Sequence, residues 1–147
     1  KVIIQDDVIG IPDRYLFSCL VQAGRKVKYD SRSSMSTAAS TLIPIFLEIK
    51  ENFFHLTPCE WVADIQGGVN PHGGEAVAIV RPRFDRWGFT VTIEIDDKEI
   101  AEEKVKQLFV MAGKGFGLGD YRPGKRGLYG RFKIAEWNVL SGGKKTK

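Results

Sequence analysis

An α+β fold is predicted for this 147-residue chain from three observations: two stretches carry apolar residues at helical spacing, several others run apolar or alternate over strand lengths, and strands and helices interleave. Hydrophobic residues make up 43% and charged residues 27% of the chain, the balance of one ordinary globular domain. A chain of this length buries roughly two-thirds of its unfolded surface, so neither disulfides nor metal are needed for a core.

The first element is Val2-Ile3-Ile4, a short apolar run of strand type. The first helix follows, with Pro12 at its start, Gly24 at its end, and Leu16, Cys19, Leu20 and Ala23 on one face. Ser31 to Thr41 is small and polar, with too few large side chains to anchor itself, and is expected to be a mobile excursion. Leu42 to Ile49 is apolar but broken by Pro44, which suits an edge strand. Trp61 to Gln66 makes a weak strand, and Gly67 to Gly74 is expected to be loop.

The strongest strand signal comes next. Ala76 to Phe84 and Gly88 to Ile95 are expected to form an antiparallel hairpin turning at Asp85-Arg86, with Phe89, Val91, Ile93 and Ile95 on one face and Thr90, Thr92 and Glu94 on the other. Asp96 and Glu99 have the spacing of a capping box, opening a second helix whose stripe is Ala101, Val105, Leu108, Phe109 and Ala112. A glycine-rich basic loop separates it from a last strand, Tyr129 to Trp137.

In sequence these elements read β-α-β-β-α-β, the ferredoxin-like or RRM-type pattern, with both helices on one face of an antiparallel sheet. The whole chain, 1–147, is then one domain with an insertion at about 30–74 and a basic tail at 141–147.

Net charge is +4, concentrated toward the C-terminal end. From Lys114 onward nine Lys and Arg residues face only Asp120 and Glu136, an asymmetry that points to a polyanionic partner. Two cysteines, Cys19 and Cys59, are too few for a disulfide framework and read as buried thiols of a reducing compartment. No apolar run approaches the ~20 residues of a bilayer span, and no secretory leader is recognisable, so a cytoplasmic protein without a membrane partner is expected.

The candidate site is the segment from Lys114 to Phe132. Its glycines, Gly117 and Gly119 among them, allow backbone N–H groups to approach phosphate. Lys114, Arg122, Lys125, Arg126 and Arg131 supply positive charge, while Tyr121 and Tyr129 supply faces for base stacking. The spacing matches neither a P-loop nor a dinucleotide fingerprint, because the segment leaves a helix and enters a strand. A plain turn-forming role for the glycines is the alternative.

The form Gly-Phe-Gly-Leu-Gly…Gly-Leu-Tyr-Gly-Arg-Phe, placed between the second helix and the last strand, resembles the glycine-rich signature of the RAMP superfamily, RRM-fold proteins of CRISPR systems that bind or process guide RNA. Ile11-Pro12 before a helix ending Ala23-Gly24-Arg25-Lys26 is similar to the helix start of its backbone members. The segments Gly117 to Pro123 and Tyr129 to Phe132 also resemble small proteins of tailed phages. The resemblance implies a non-catalytic protein that binds single-stranded nucleic acid, RNA first, and assembles side by side with copies of itself or other subunits of a ribonucleoprotein, the insertion reaching over a neighbour.

Two other classes stay open: a phage-encoded protein-interaction module that blocks or imitates a host complex, and a metal-independent endoribonuclease using His72 as general base. The second has little support, because neither His55 nor His72 has an acidic or cysteine partner fixed by spacing. His55, among Phe53, Phe54 and Leu56, is expected to be a partly buried core histidine. The cysteines and histidines lack zinc-ligand spacing, Asp96 and Asp97 read as helix caps, and no cofactor is expected.

Overall fold

A computed structural model describes residues 3–5, 8–57, 59–69, 76–119, 122–126, 129–140 and 144–146. They form an α+β fold. In chain order the elements are β1 (Ile3–Gln5), β2 (Val8–Pro12), α1 (Asp13–Gly24), the single turn α2 (Ile43–Phe46), β3 (Leu47–Ile49), β4 (Phe53–His55), β5 (Cys59–Val69), β6 (Ala76–Trp87), β7 (Thr92–Ile95), α3 (Glu102–Met111), β8 (Asn138–Val139) and β9 (Lys144–Thr146). Strands pair antiparallel in three groups: β1-β2-β4, β3-β7-β9-β8 and the ribbon β5-β6. Among the described residues no single ferredoxin-like sheet is formed.

Both helices follow their apolar stripes. Leu16, Cys19, Leu20 and Ala23 are buried on α1, and Val105, Leu108 and Phe109 on α3, with Ala112 directly after it. Asp96 and Glu99 do not cap α3. They close a turn one step earlier, in which the Glu99 and Ile100 N–H groups donate to Asp96 O and the Asp96 carboxylate accepts from Lys98 N–H at 3.1 Å. Helix α3 then starts from the extended residue Ala101, which is exposed, with Glu102 and Glu103 in its first turn to suit the dipole.

The expected hairpin between Ala76–Phe84 and Gly88–Ile95 is replaced by two different pairings. β6 pairs with β5 from Ala76↔Val69 to Trp87↔Cys59, so Gly67, Gly68 and Val69 are strand rather than loop and Asp85-Arg86 lies within a strand, not at a tip. Residues 70–75, His72 included, lie outside the described residues. β7 pairs instead with β3, setting Leu47 opposite Ile95 and Ile49 opposite Ile93. The expected alternation survives this change of partner: Val91, Ile93 and Ile95 are buried while Thr90 and Glu94 are exposed. Inward-facing side chains thus follow the sequence pattern, and the long-range partner is chosen by the core they join.

Pro44 sits in the first turn of α2, where a missing N–H costs nothing, and only Leu47–Ile49 of the expected edge strand is extended. His55 is exposed, not in the core, because the β4 alternation turns Phe54 inward and both its neighbours outward. Trp87 and Phe89 stack at 6.1 Å, and Phe89 stacks on buried Phe54 at 4.9 Å, joining the ribbon's base to the core.

The excursion at 31–41 is held by one apolar side chain. Met35 is fully buried, its N–H donates to Val27 O at 2.9 Å, and the neighbouring Ser36 N–H donates to Gly24 O at 3.1 Å. The Asp30 carboxylate accepts from Arg32 and Ser33 N–H at 2.8 and 2.7 Å, which holds its pKa below the ordinary carboxylate value. A flexible thioether suits this task, since it fills an irregular gap at the end of α1 without a flanking apolar run. Met35→Ala is expected to destabilise the domain by about 2–5 kcal/mol in chemical denaturation. Ile45→Ser, at a position 55% exposed, should stay within about 0.5 kcal/mol of the parent.

Candidate functional site

The glycine-rich segment begins where α3 runs into a single π-helical turn, Ala112–Phe116. Its two flanks then meet backbone to backbone. The Phe132 N–H donates to Gly113 O at 3.1 Å, and the Leu118 N–H donates to Gly130 O at 2.9 Å. At both rungs a side chain is sterically forbidden: a Cβ on Gly113 would strike Phe132 O, and one on Gly130 would strike Leu118 O. Gly117 and Gly130 also take φ of +70° and +82°, which other residues rarely adopt.

Residues 113–118 and 130–132 therefore close a narrow neck beside the end of α3. Gly117 and Leu118 are buried in that neck. The expected strand Tyr129–Trp137 is irregular backbone instead, and its Gly130 C=O and Phe132 N–H bond across the neck. Its alternation nevertheless holds, with Phe132 and Ile134 packed against the core and Arg131 and Lys133 exposed.

The nine expected binding residues separate into different roles. Gly117 serves closure: its Cβ would lie 2.8 Å from Gly130 O and 2.9 Å from Pro123 Cδ. Arg122 is turned back on the loop, where its Nη1 donates to Gly119 O at 2.8 Å. Gly119 has φ +96° and open space where a side chain would be, so its backbone is approachable. Lys114, Arg126 and Arg131 are exposed, and Tyr129 is 43% exposed. Lys125 ends a 3₁₀ turn, Pro123–Lys125, with its side chain outside the described residues, as is Tyr121 entirely.

Arg126 is the single described non-glycine residue with positive φ, at +65°, and its N–H donates to Pro123 O at 3.0 Å. An L-residue held there carries local strain, and such strain tends to collect at functional positions. Gly124 packs against α1, with Gln22 Oε1 2.8 Å from where its Cβ would be; that buried oxygen has no hydrogen-bond partner among the described residues.

Sequence reasoning missed two features. The neck depends on Gly113 and Gly130, whose pairing is long-range and leaves no local signal. Five lysines at the end of α1 and along α3 line one groove, a cluster visible in sequence only once Lys26 and Lys28 are set beside Lys104, Lys106 and Lys114. Among the described residues no group of His, Cys, Asp and Glu has metal-binding geometry, and no helix is long and apolar enough to cross a membrane.

Two glycine substitutions of equal size are expected to differ sharply. Gly130→Ala meets the Leu118 carbonyl and a positive φ that alone costs roughly 1–2 kcal/mol, so the melting temperature should fall by several degrees. Gly115→Ala, whose Cβ would find only Met111 Sδ at 3.7 Å, should hold or raise it. Comparison with protein-family models, with curated proteins and with solved structures finds no match, so the site is interpreted from its own geometry and charge.

Proposed function

We propose that the protein is a non-catalytic, cytoplasmic module that binds single-stranded nucleic acid, RNA first, through the tip of the closed loop. The observation that carries this reading is that Arg126, Arg131 and Tyr129 are exposed on or next to a loop with open space beside its backbone at Gly119, with Lys114, also exposed, at the end of α3. Ammonium and guanidinium groups engage phosphates, the backbone at Gly119 can be approached without a side chain in the way, and the phenol ring suits stacking on a base. The neck holds these groups in one arrangement before the ligand arrives, which lowers the ordering cost of binding.

The finer reading of the fold belongs to the same proposal. β2 precedes α1, β7 precedes α3 and β8 follows it, an alternation that supports a β-α-β-β-α-β reading although the described strands do not share one sheet. In that reading copies of the chain lie side by side along a strand of RNA. Cooperative binding to long strands, with simple one-to-one binding to short ones, is the outcome that supports it.

Replacing Arg126 and Arg131 with Ala should weaken binding to a single-stranded oligonucleotide regardless of its sequence and flatten the logarithmic salt slope by about 1.4, or roughly 0.7 for each phosphate contact removed. Unchanged affinity and slope in the folded double variant would remove the loop from the function. Arg126→Gly gives a sharper contrast, because it relieves the positive φ while deleting the charge. Stability should rise by up to about 1 kcal/mol as nucleic-acid affinity falls.

A further inference from the structure

An open groove of about 690 Å³ runs between the chain following α1 and the outer face of α3. Lys26 and Lys28 stand on one wall, and Lys104, Lys106 and Lys114 on the other, against a single carboxylate, Glu103. Positions 106, 110 and 114 repeat every four residues, so α3 and the turn after it present Lys106, Val110 and Lys114 along one side. Between the ammonium groups lie Val110, 48% exposed, and the partly exposed Met111.

The walls are fixed from behind. Lys104 Nζ donates to Tyr29 O at 3.0 Å, tying α3 to the chain after α1. The Lys106 ammonium lies 5.9 Å from the centre of the Trp137 ring, whose Nε1 donates to Glu102 Oε2 at 2.8 Å. Among the nearby acidic groups, Asp30 has its carboxylate occupied by the Arg32 and Ser33 N–H groups, Glu99 accepts from the Tyr29 hydroxyl and Glu102 from Trp137.

Two features decide what fits. A single strand of nucleic acid is held by charge together with aromatic rings on which bases stack, and among the described residues no aromatic side chain lines this groove. A valine and a methionine exposed between lysines match instead a segment with leucine or isoleucine on one side and carboxylates flanking it. We propose that this groove docks an acidic amphipathic segment of a partner protein, its apolar side chains over Val110 and Met111 and its carboxylates on Lys26, Lys28, Lys106 and Lys114. Lys114 is shared with the nucleic-acid reading, whereas Lys26, Lys28, Lys106, Val110 and Met111 belong to the groove alone.

The test uses fluorescence anisotropy on the full chain with three probes: a glutamate-rich peptide carrying leucines at helical spacing, the same peptide with Leu→Ser throughout, and a single-stranded oligonucleotide. The leucine peptide should bind, and the serine peptide should bind at least roughly tenfold more weakly. Lys26→Glu, Lys28→Glu and Lys106→Glu together should abolish peptide binding while changing oligonucleotide affinity much less. Val110→Ser, a single exposed change that leaves the charge intact, should weaken the leucine peptide severalfold and leave the serine peptide unaffected. Equal binding of both peptides, or insensitivity of the leucine peptide to either variant, overturns the proposal. So does a triple variant that loses the oligonucleotide as completely as the peptide, which would make the groove part of a nucleic-acid track.

Discussion

Two backbone contacts at which no side chain fits, Gly113 against Phe132 and Leu118 against Gly130, govern how the C-terminal third of the chain is arranged. Each joins residues that are far apart in sequence, and each requires glycine on one side. They hold residues 130–132 against the end of α3 without a sheet, and beyond them Gly124 packs on Gln22 of α1. The glycines at the neck are consumed by closure. At Gly119, by contrast, missing side-chain bulk leaves open space beside the backbone.

The neck in turn depends on the approach of α1 and α3. Ala23 and Gly24 on the first helix and Ala112 and Gly113 after the second are all buried, and the Cys19 thiol donates to Ala112 O at 3.4 Å. The small Ala23 and Ala112 suit this close approach, while Gly24 makes room for Ser36 and Gly113 for Phe132, and Leu16, Leu20, Leu108 and Phe109 complete the core around them. The same approach brings Gln22 under Gly124 and Lys26 and Lys28 beside α3. Loop and lysine groove are thus two consequences of one helix pairing, displayed on neighbouring parts of the surface.

Local patterning was legible in the sequence and pairing was not. The buried stripes of α1 and α3 and the inward face of β7 follow from spacing alone, because each is fixed by the geometry of its own element. β7 takes a different partner from the expected one because Ala76–Trp87 and Cys59–Val69 satisfy one another over a longer register than the expected hairpin offers. Met35 carries no sequence signal because one thioether anchors a polar segment without an apolar run around it. At the candidate site the charges were readable, but Arg122 folding back on Gly119 and Arg126 in a left-handed conformation depend on turns that composition does not specify.

The central claim is that the loop is a closed, preformed cradle whose tip meets single-stranded nucleic acid. Residue-resolved hydrogen exchange with and without a single-stranded oligonucleotide tests both halves at once. The Leu118 and Phe132 amides should be protected in the free protein, while those of Gly119, Gly124 and Arg131 exchange faster and slow when the oligonucleotide is added. Fast exchange at Leu118 and Phe132 in the free protein would contradict the closed neck, and a tip whose exchange ignores the oligonucleotide would contradict its function.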